Sequence, residues 1–159
     1  MDANLNLEMW EVEEIPNEDS LYIRIGNSFV AKDKKAPSAS AFVNTPKSGN
    51  NLSSDWSRYS TPQQSKELVA RQINPRTGEF KDPSSFFFWG LNVGMIRTDV
   101  IPEQKVLHEP FYNEPEIMGQ PNNRAHSIIE GPKPEKDVEF RALMVMCGKW
   151  VIGPEEDEK

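Results

Sequence analysis

Two histidines, His108 and His126, are the side chains of this sequence whose ordinary titration range lies near neutrality. Each ends or begins a short apolar segment, VLH at 106–108 and AHSII at 125–129. Asn122, Asn123 and Arg124 precede His126, and amides beside a guanidinium suit an anion. The catalytic arrangement open to this chain is therefore proton transfer at His126, with His108, Arg24 and Asp55 as partners, in a small hydrolase or nuclease. It makes a geometric demand, since proton-transfer partners must come within hydrogen-bond reach. A satisfied structural role is the plainer expectation for a single histidine on a strand.

Other chemistries lack their residues. Metal spacings such as HExxH or paired CxxC are absent, so no metal site is expected. No GxSxG, GxGxxG or Walker loop occurs, and no cofactor is expected. The one cysteine, Cys147, lies in an apolar run and reads as a buried, inert thiol. Glu13-Glu14 and Glu155-Glu156 read as solvated charge, without the fixed separation that an acid and base pair requires.

The net charge of -7 is unevenly placed. Residues 1–20 hold seven acids and no base, and residues 153–159 hold four acids and one lysine, which leaves a body of +3. Arg24, Arg58 and Lys81 beside aromatic residues offer a weak phosphate and stacking surface, but the excess is too small to make nucleic acid an expected ligand. The acidic start, with Trp10, Glu13 and Glu14, instead predicts a docking segment for a protein with a basic surface, or an edge element packed through Trp10. Asn123 and Arg124 are the body's own candidate binding residues. Together these features predict a non-catalytic interaction or regulatory accessory protein, with the hydrolase and the nucleic-acid binder as alternatives. An accessory subunit of a bacterial antiviral defence system fits that description.

The elements that must position these residues are those of one α+β domain, mostly antiparallel sheet with about two helices and long Pro-rich loops. Hydrophobic content of 36% and 13 prolines argue for much loop. Residues 1–16 form the arm or edge element, 17–152 the domain, and 153–159 an acidic disordered tail. A basic leader of the kind that directs export is not evident, and the most apolar stretch, Phe86–Ile96, falls short of the roughly 18 residues of a membrane span. A cytoplasmic location without a membrane partner is expected.

Alternation predicts strands at Ser20–Ile25, Ser38–Val43, 105–108 and Ala125–Glu130, and the aromatic run from Phe86 to Ile96 predicts a strand buried on both faces. Thr61-Pro62-Gln63-Gln64 is a capping box opening a helix to about Gln72. A second helix should run from Pro134 to Cys147 on Val138, Ala142, Val145 and Met146, with Gly148 as its C-cap. Residues 45–51 and the polar stretch from Leu52 to Tyr59 read as loop, pinned by Trp56 and Tyr59. Residues 97–124 read as an extended surface segment, apart from the strand at 105–108.

SLYIRI after IPNED, LSSDWSRYSTPQQ, VLHEP and NRAHSIIEG together resemble a widespread set of small bacterial proteins of unassigned function. The corresponding stretches there read LYRRI, LSVD leading into TPE, and DP-x-NPAH. This chain departs at Ser54, Glu109 and Arg124, where that pattern has Val, Asp and Pro, and carries additions around 79–100 and 113–120. The resemblance implies a bacterial origin and one compact fold, and marks Tyr22, Arg24, Asp55, Thr61, His108 and His126 for scrutiny.

Overall fold

The computed structural model describes residues 10–42, 51–133 and 138–154. The arm before Trp10, the loop expected over 45–50, the start of the second predicted helix and the tail 155–159 lie outside the described residues. The expected α+β class is the one found. Six strands form one antiparallel sheet: β1 (Ser20–Gly26), β2 (Asn51–Trp56), β3 (Phe86–Asn92), β4 (Lys105–His108), β5 (His126–Glu130) and β6 (Gly148–Ile152), in the order β4-β5-β2-β1-β3-β6. Among the described residues three α-helices join them: α1 (Pro62–Val69), α2 (Val93–Asp99) and α3 (Val138–Met146).

Side chains alternate across a strand, so Leu21, Ile23 and Ile25 face one side of β1 and Tyr22 and Arg24 the other. The first face carries the main core. Leu21, Ile23, Ile25, Trp56, Leu91 and Ile129 are packed there with Val93 and Ile96 of α2 and Phe140 and Met144 of α3. Burial of such a set removes apolar surface worth about 25 cal/mol per Å² from water, which is why the sheet needs α2 and α3 over it. Val69 of α1 and Phe88 are buried outside that cluster. Gln72, just beyond α1, reaches Arg24 on the second face.

Several expectations are corrected. Residues 51–56 are strand β2, not loop, because their backbone pairs with β5 from Asn51↔Glu130 to Asp55↔His126. Sheet pairing outweighs the weak β-propensity of Asn, Ser and Asp. The strand expected over Ser38–Val43 is absent from its described part, which ends at Phe42: Ala39–Phe42 is a single 3-10 turn with Phe42 fully buried. The apolar run from Phe86 leaves the sheet at Asn92, whose side chain accepts the Met95 N–H at 2.8 Å and caps α2. In α3 the inward face is Phe140, Met144 and then Cys147, while Ala142 and Met146 are exposed. Gly148 opens β6 instead of capping α3, since a Cβ there would collide with the Gly90 carbonyl oxygen.

Thr61 does form the capping box: its side chain accepts the Gln64 N–H at 3.1 Å and the Gln64 side chain accepts the Thr61 N–H at 2.9 Å. The helix is shorter than expected, ending at Val69 with Ala70 as C-cap.

Candidate functional site

The two histidines stand on opposite faces of the sheet. His108 is opposite Ser127 in the β4–β5 ladder, so its neighbour along β5, His126, projects the other way. The expected pairing of the two rings in one site is therefore excluded by the alternation of side chains.

His108 is 3% exposed and held at both nitrogens. Its Nδ1 accepts the Glu13 N–H at 3.0 Å and its Nε2 donates to the Arg124 carbonyl at 2.7 Å. The ring stacks on Tyr59, with centroids 6.0 Å apart, and meets Trp56 edge-on at 5.0 Å. No ring nitrogen is left for proton transfer, and His108 joins the N-terminal segment to the sheet. Two of the five residues expected to bind a partner, Glu13 and Arg124, lie against it. The Glu13 carboxylate accepts from Arg58 Nη1 at 3.3 Å and from the Tyr59 hydroxyl, and Arg124 Nη2 is 3.7 Å away. The Tyr59 hydrogen bond and then the charge of Arg58 hold its carboxyl below the usual range. Arg58 lies over Trp56 and Arg124 over Tyr59, at 4.9 and 4.1 Å. Trp10 packs edge-on against Tyr112, 5.0 Å between centroids, and Glu14 is exposed. The described part of the arm is thus packed on the body without adding a strand, through Ile15 and Glu13 as much as through Trp10.

The other face holds a cleft. Strand β1 pairs with β3 along all seven residues but with β2 only at Leu21↔Trp56 and Tyr22↔Asp55. Beyond Tyr22 the two central strands have no ladder between them, and a concavity of about 350 Å³ opens there. Tyr22, Arg24, Ser53, Asp55, Gln72 and His126 line it. Four of these six are residues marked by the resemblance, which scatters them over a hundred positions of sequence.

Two cations meet at Gln72 on the wall of this cleft, Arg24 from the lining and Lys81 from beside it. Arg24 Nη1 donates to Gln72 Oε1 at 2.9 Å, and Lys81 Nζ donates to the same oxygen at 3.4 Å. Among the described residues no carboxylate lies within ion-pair distance of either. Burial lowers the Arg24 pKa, with Asp55 opposing, and burial followed by repulsion from Arg24 lowers that of Lys81. Asp55 itself accepts from Asn123 Nδ2 at 2.8 Å, and burial raises the Tyr22 pKa. A neutral amide is thus the shared acceptor of two partly desolvated positive charges.

His126 differs from His108 in keeping one nitrogen for the cleft. Its Nδ1 donates to the Glu109 carbonyl at 2.7 Å, which in the neutral ring leaves the lone pair on Nε2. Ser53 Oγ is 3.5 Å from that Nε2. Gln72 and Ser53 were not among the expected site residues, and only the crossing of α1's end over the cleft and the strand character of 51–56 bring them in.

The other reactive side chain is inert: Cys147 is buried, and burial pushes its pKa up to about 11. The described residues contain no cluster of metal-ligating groups and no helix long and apolar enough to cross a membrane. Compared with protein-family models, curated proteins and solved structures, the chain gives no match, so its function has to be read from this cleft and this corner.

Proposed function

We propose that this chain is a non-catalytic interaction protein, an accessory or regulatory partner, and that it receives an acidic group of another protein in the cleft between β1 and β2. The observation that supports this reading is the convergence of Arg24 and Lys81 on one neutral oxygen, Gln72 Oε1. Bringing charge out of water is costly unless it is paired, and a carboxylate from outside supplies the missing pair through charge-assisted hydrogen bonds. Tyr22 and Ser53 add hydroxyl donors on the wall. The expected basic partner surface is a different chemistry from this cleft's: of the arm's described acids Glu13 is engaged by Arg58 and Tyr59, while Glu11 and Glu14 are exposed.

A titration of the labelled full chain with acetyl-hexaglutamate, followed by amide NMR, tests the reading. Resonances of Tyr22, Arg24, Gln72 and Lys81 should shift, and the shifts should vanish in the Arg24→Gln, Lys81→Gln double variant. No movement at these positions, or equal movement in the double variant, rejects it.

A second reading, a small hydrolase, rests on the 3.5 Å approach of His126 Nε2 to Ser53 Oγ. The carbonyl of Glu109 orients the ring, so the base-bearing nitrogen faces a hydroxyl in the cleft. The two readings part on His126→Ala, which abolishes ester turnover if the histidine is a base and leaves hexaglutamate binding intact if the cleft only binds.

A further inference from the structure

A different part of the molecule carries an inference that does not depend on the cleft. The stretch 10–15 has no regular secondary structure, yet it is held at three side chains. Trp10 packs on Tyr112, Glu13 sits between Arg58, Arg124 and Tyr59, and Ile15 is 1% exposed. Glu11, Val12 and Glu14 between them are exposed. This is how an extended peptide lies in a recognition groove, with anchors inward and spacers outward.

The Glu13 site reads two features of its occupant at once. Arg58, Arg124 and the Tyr59 hydroxyl take the carboxylate, and His108 Nδ1 takes the backbone N–H of the same residue. A free carboxylate would satisfy the first set and not the second. The body side is rigid: Arg58 and Arg124 lie on aromatic faces, and His108 is fixed by the Arg124 carbonyl. Yet the clamp is open to water, with the Arg58, Arg124 and Glu13 side chains 45%, 44% and 28% exposed. Ion pairs at such exposure are worth little net, about 0–1 kcal/mol, so the Trp10–Glu13 part of the segment can be exchanged while Ile15 stays in the core.

We propose that the body carries a recognition site for a glutamate in an extended, tryptophan-led segment of a partner protein, W-x-x-E in this chain's own spacing, and that residues 10–13 occupy it in cis as a tethered ligand whose fixed end is Ile15 in the core. A tether raises the local concentration of the cis segment to about the millimolar range, so a partner segment competes only when the cis contacts weaken or its own are stronger.

Fluorescence anisotropy with a labelled peptide of residues 10–17 tests this on the full chain. Glu13→Gln, which weakens the cis occupant and spares the core, should bind the peptide up to about fivefold more tightly than the unaltered protein. Adding Arg58→Gln and Arg124→Gln to that variant should remove the gain, and a peptide with Gln in place of its glutamate should bind up to about fivefold more weakly. Trp10→Ala, which frees the anchor at Tyr112 without touching Glu13, should raise affinity in the same direction and covers the case of a poorly folding Glu13→Gln protein. Equal affinity for all four proteins overturns the proposal. The cleft variant Arg24→Gln, Lys81→Gln should leave these affinities unchanged, so this site and the cleft fail or survive separately.

Discussion

The corner around His108 and the cleft around His126 are built from similar side chains, each with a histidine, arginine, a carboxylate and tyrosine, and they are finished differently. In the corner both ring nitrogens of His108 are bonded to backbone, the carboxylate of Glu13 meets two guanidinium groups and a hydroxyl, and the rings of Trp56 and Tyr59 enclose the imidazole. In the cleft His126 holds one backbone contact, two cations divide one amide oxygen, and Asp55 is bonded to Asn123 in preference to either cation. A closed network stabilises the fold, whereas an open one keeps hydrogen-bonding capacity for something that arrives from outside. The same residue types are therefore satisfied from within the chain in one place and left open in the other, and the partners decide which.

The comparison breaks first on stability. His108→Ala removes two partly buried hydrogen bonds and the ring packed between Trp56 and Tyr59, so it should cost about 3 kcal/mol, or roughly 10 °C in Tm. His126→Ala should cost less than about 1 kcal/mol, because its contacts to the Glu109 carbonyl and Ser53 are exposed and water replaces them. Thermal melts of the two variants check this, and an equal loss would mean that the cleft is as much a structural network as the corner.

Acid should separate the two regions next. The Glu13 carboxyl titrates below its unfolded range, so its contribution to docking is fully present above the ordinary glutamate value of about 4.3 and is lost as pH falls through the depressed folded value. Trp10 fluorescence and protease access to residues 10–15 should therefore change below about pH 4, while Glu13→Gln should show that change absent or already complete at neutral pH. A transition centred near pH 6.5 would instead implicate a histidine.

The smallest expected effect sharpens the cleft. Ser53→Ala should alter stability by no more than about 0.5 kcal/mol in urea unfolding, since the hydroxyl is exposed and its one contact to His126 is long. A loss well beyond that would place Ser53 in a load of the fold and leave the cleft without its exposed hydroxyl.

Local signals in the chain were sufficient where the physics is local. SLYIRI alternates and becomes β1; KVLH and HSIIE become β4 and β5; Thr61, Pro62 and Gln64 make their capping box within four residues. Fold class follows from these. Signals that depend on a partner strand or a packing face misled: Asn51–Trp56 gains strand form from β5, and α3 turns Phe140 and Met144 inward where the apolar spacing of Ala142 and Met146 pointed elsewhere.

For the site, the residue types were legible and their grouping was not. Arg24, Asp55 and His126 were candidates by type, and the pairing of β2 with both β1 and β5 puts them on one face. His108 was a candidate by the same reasoning, and a register of one residue sends it to the other. Composition and short-range pattern determined the class of domain and the inventory of reactive groups. Only the tertiary structure decided which groups share a face, where β1 and β2 part to open a cleft, and which charges already have partners, because strand register and burial depend on residues far apart in the chain.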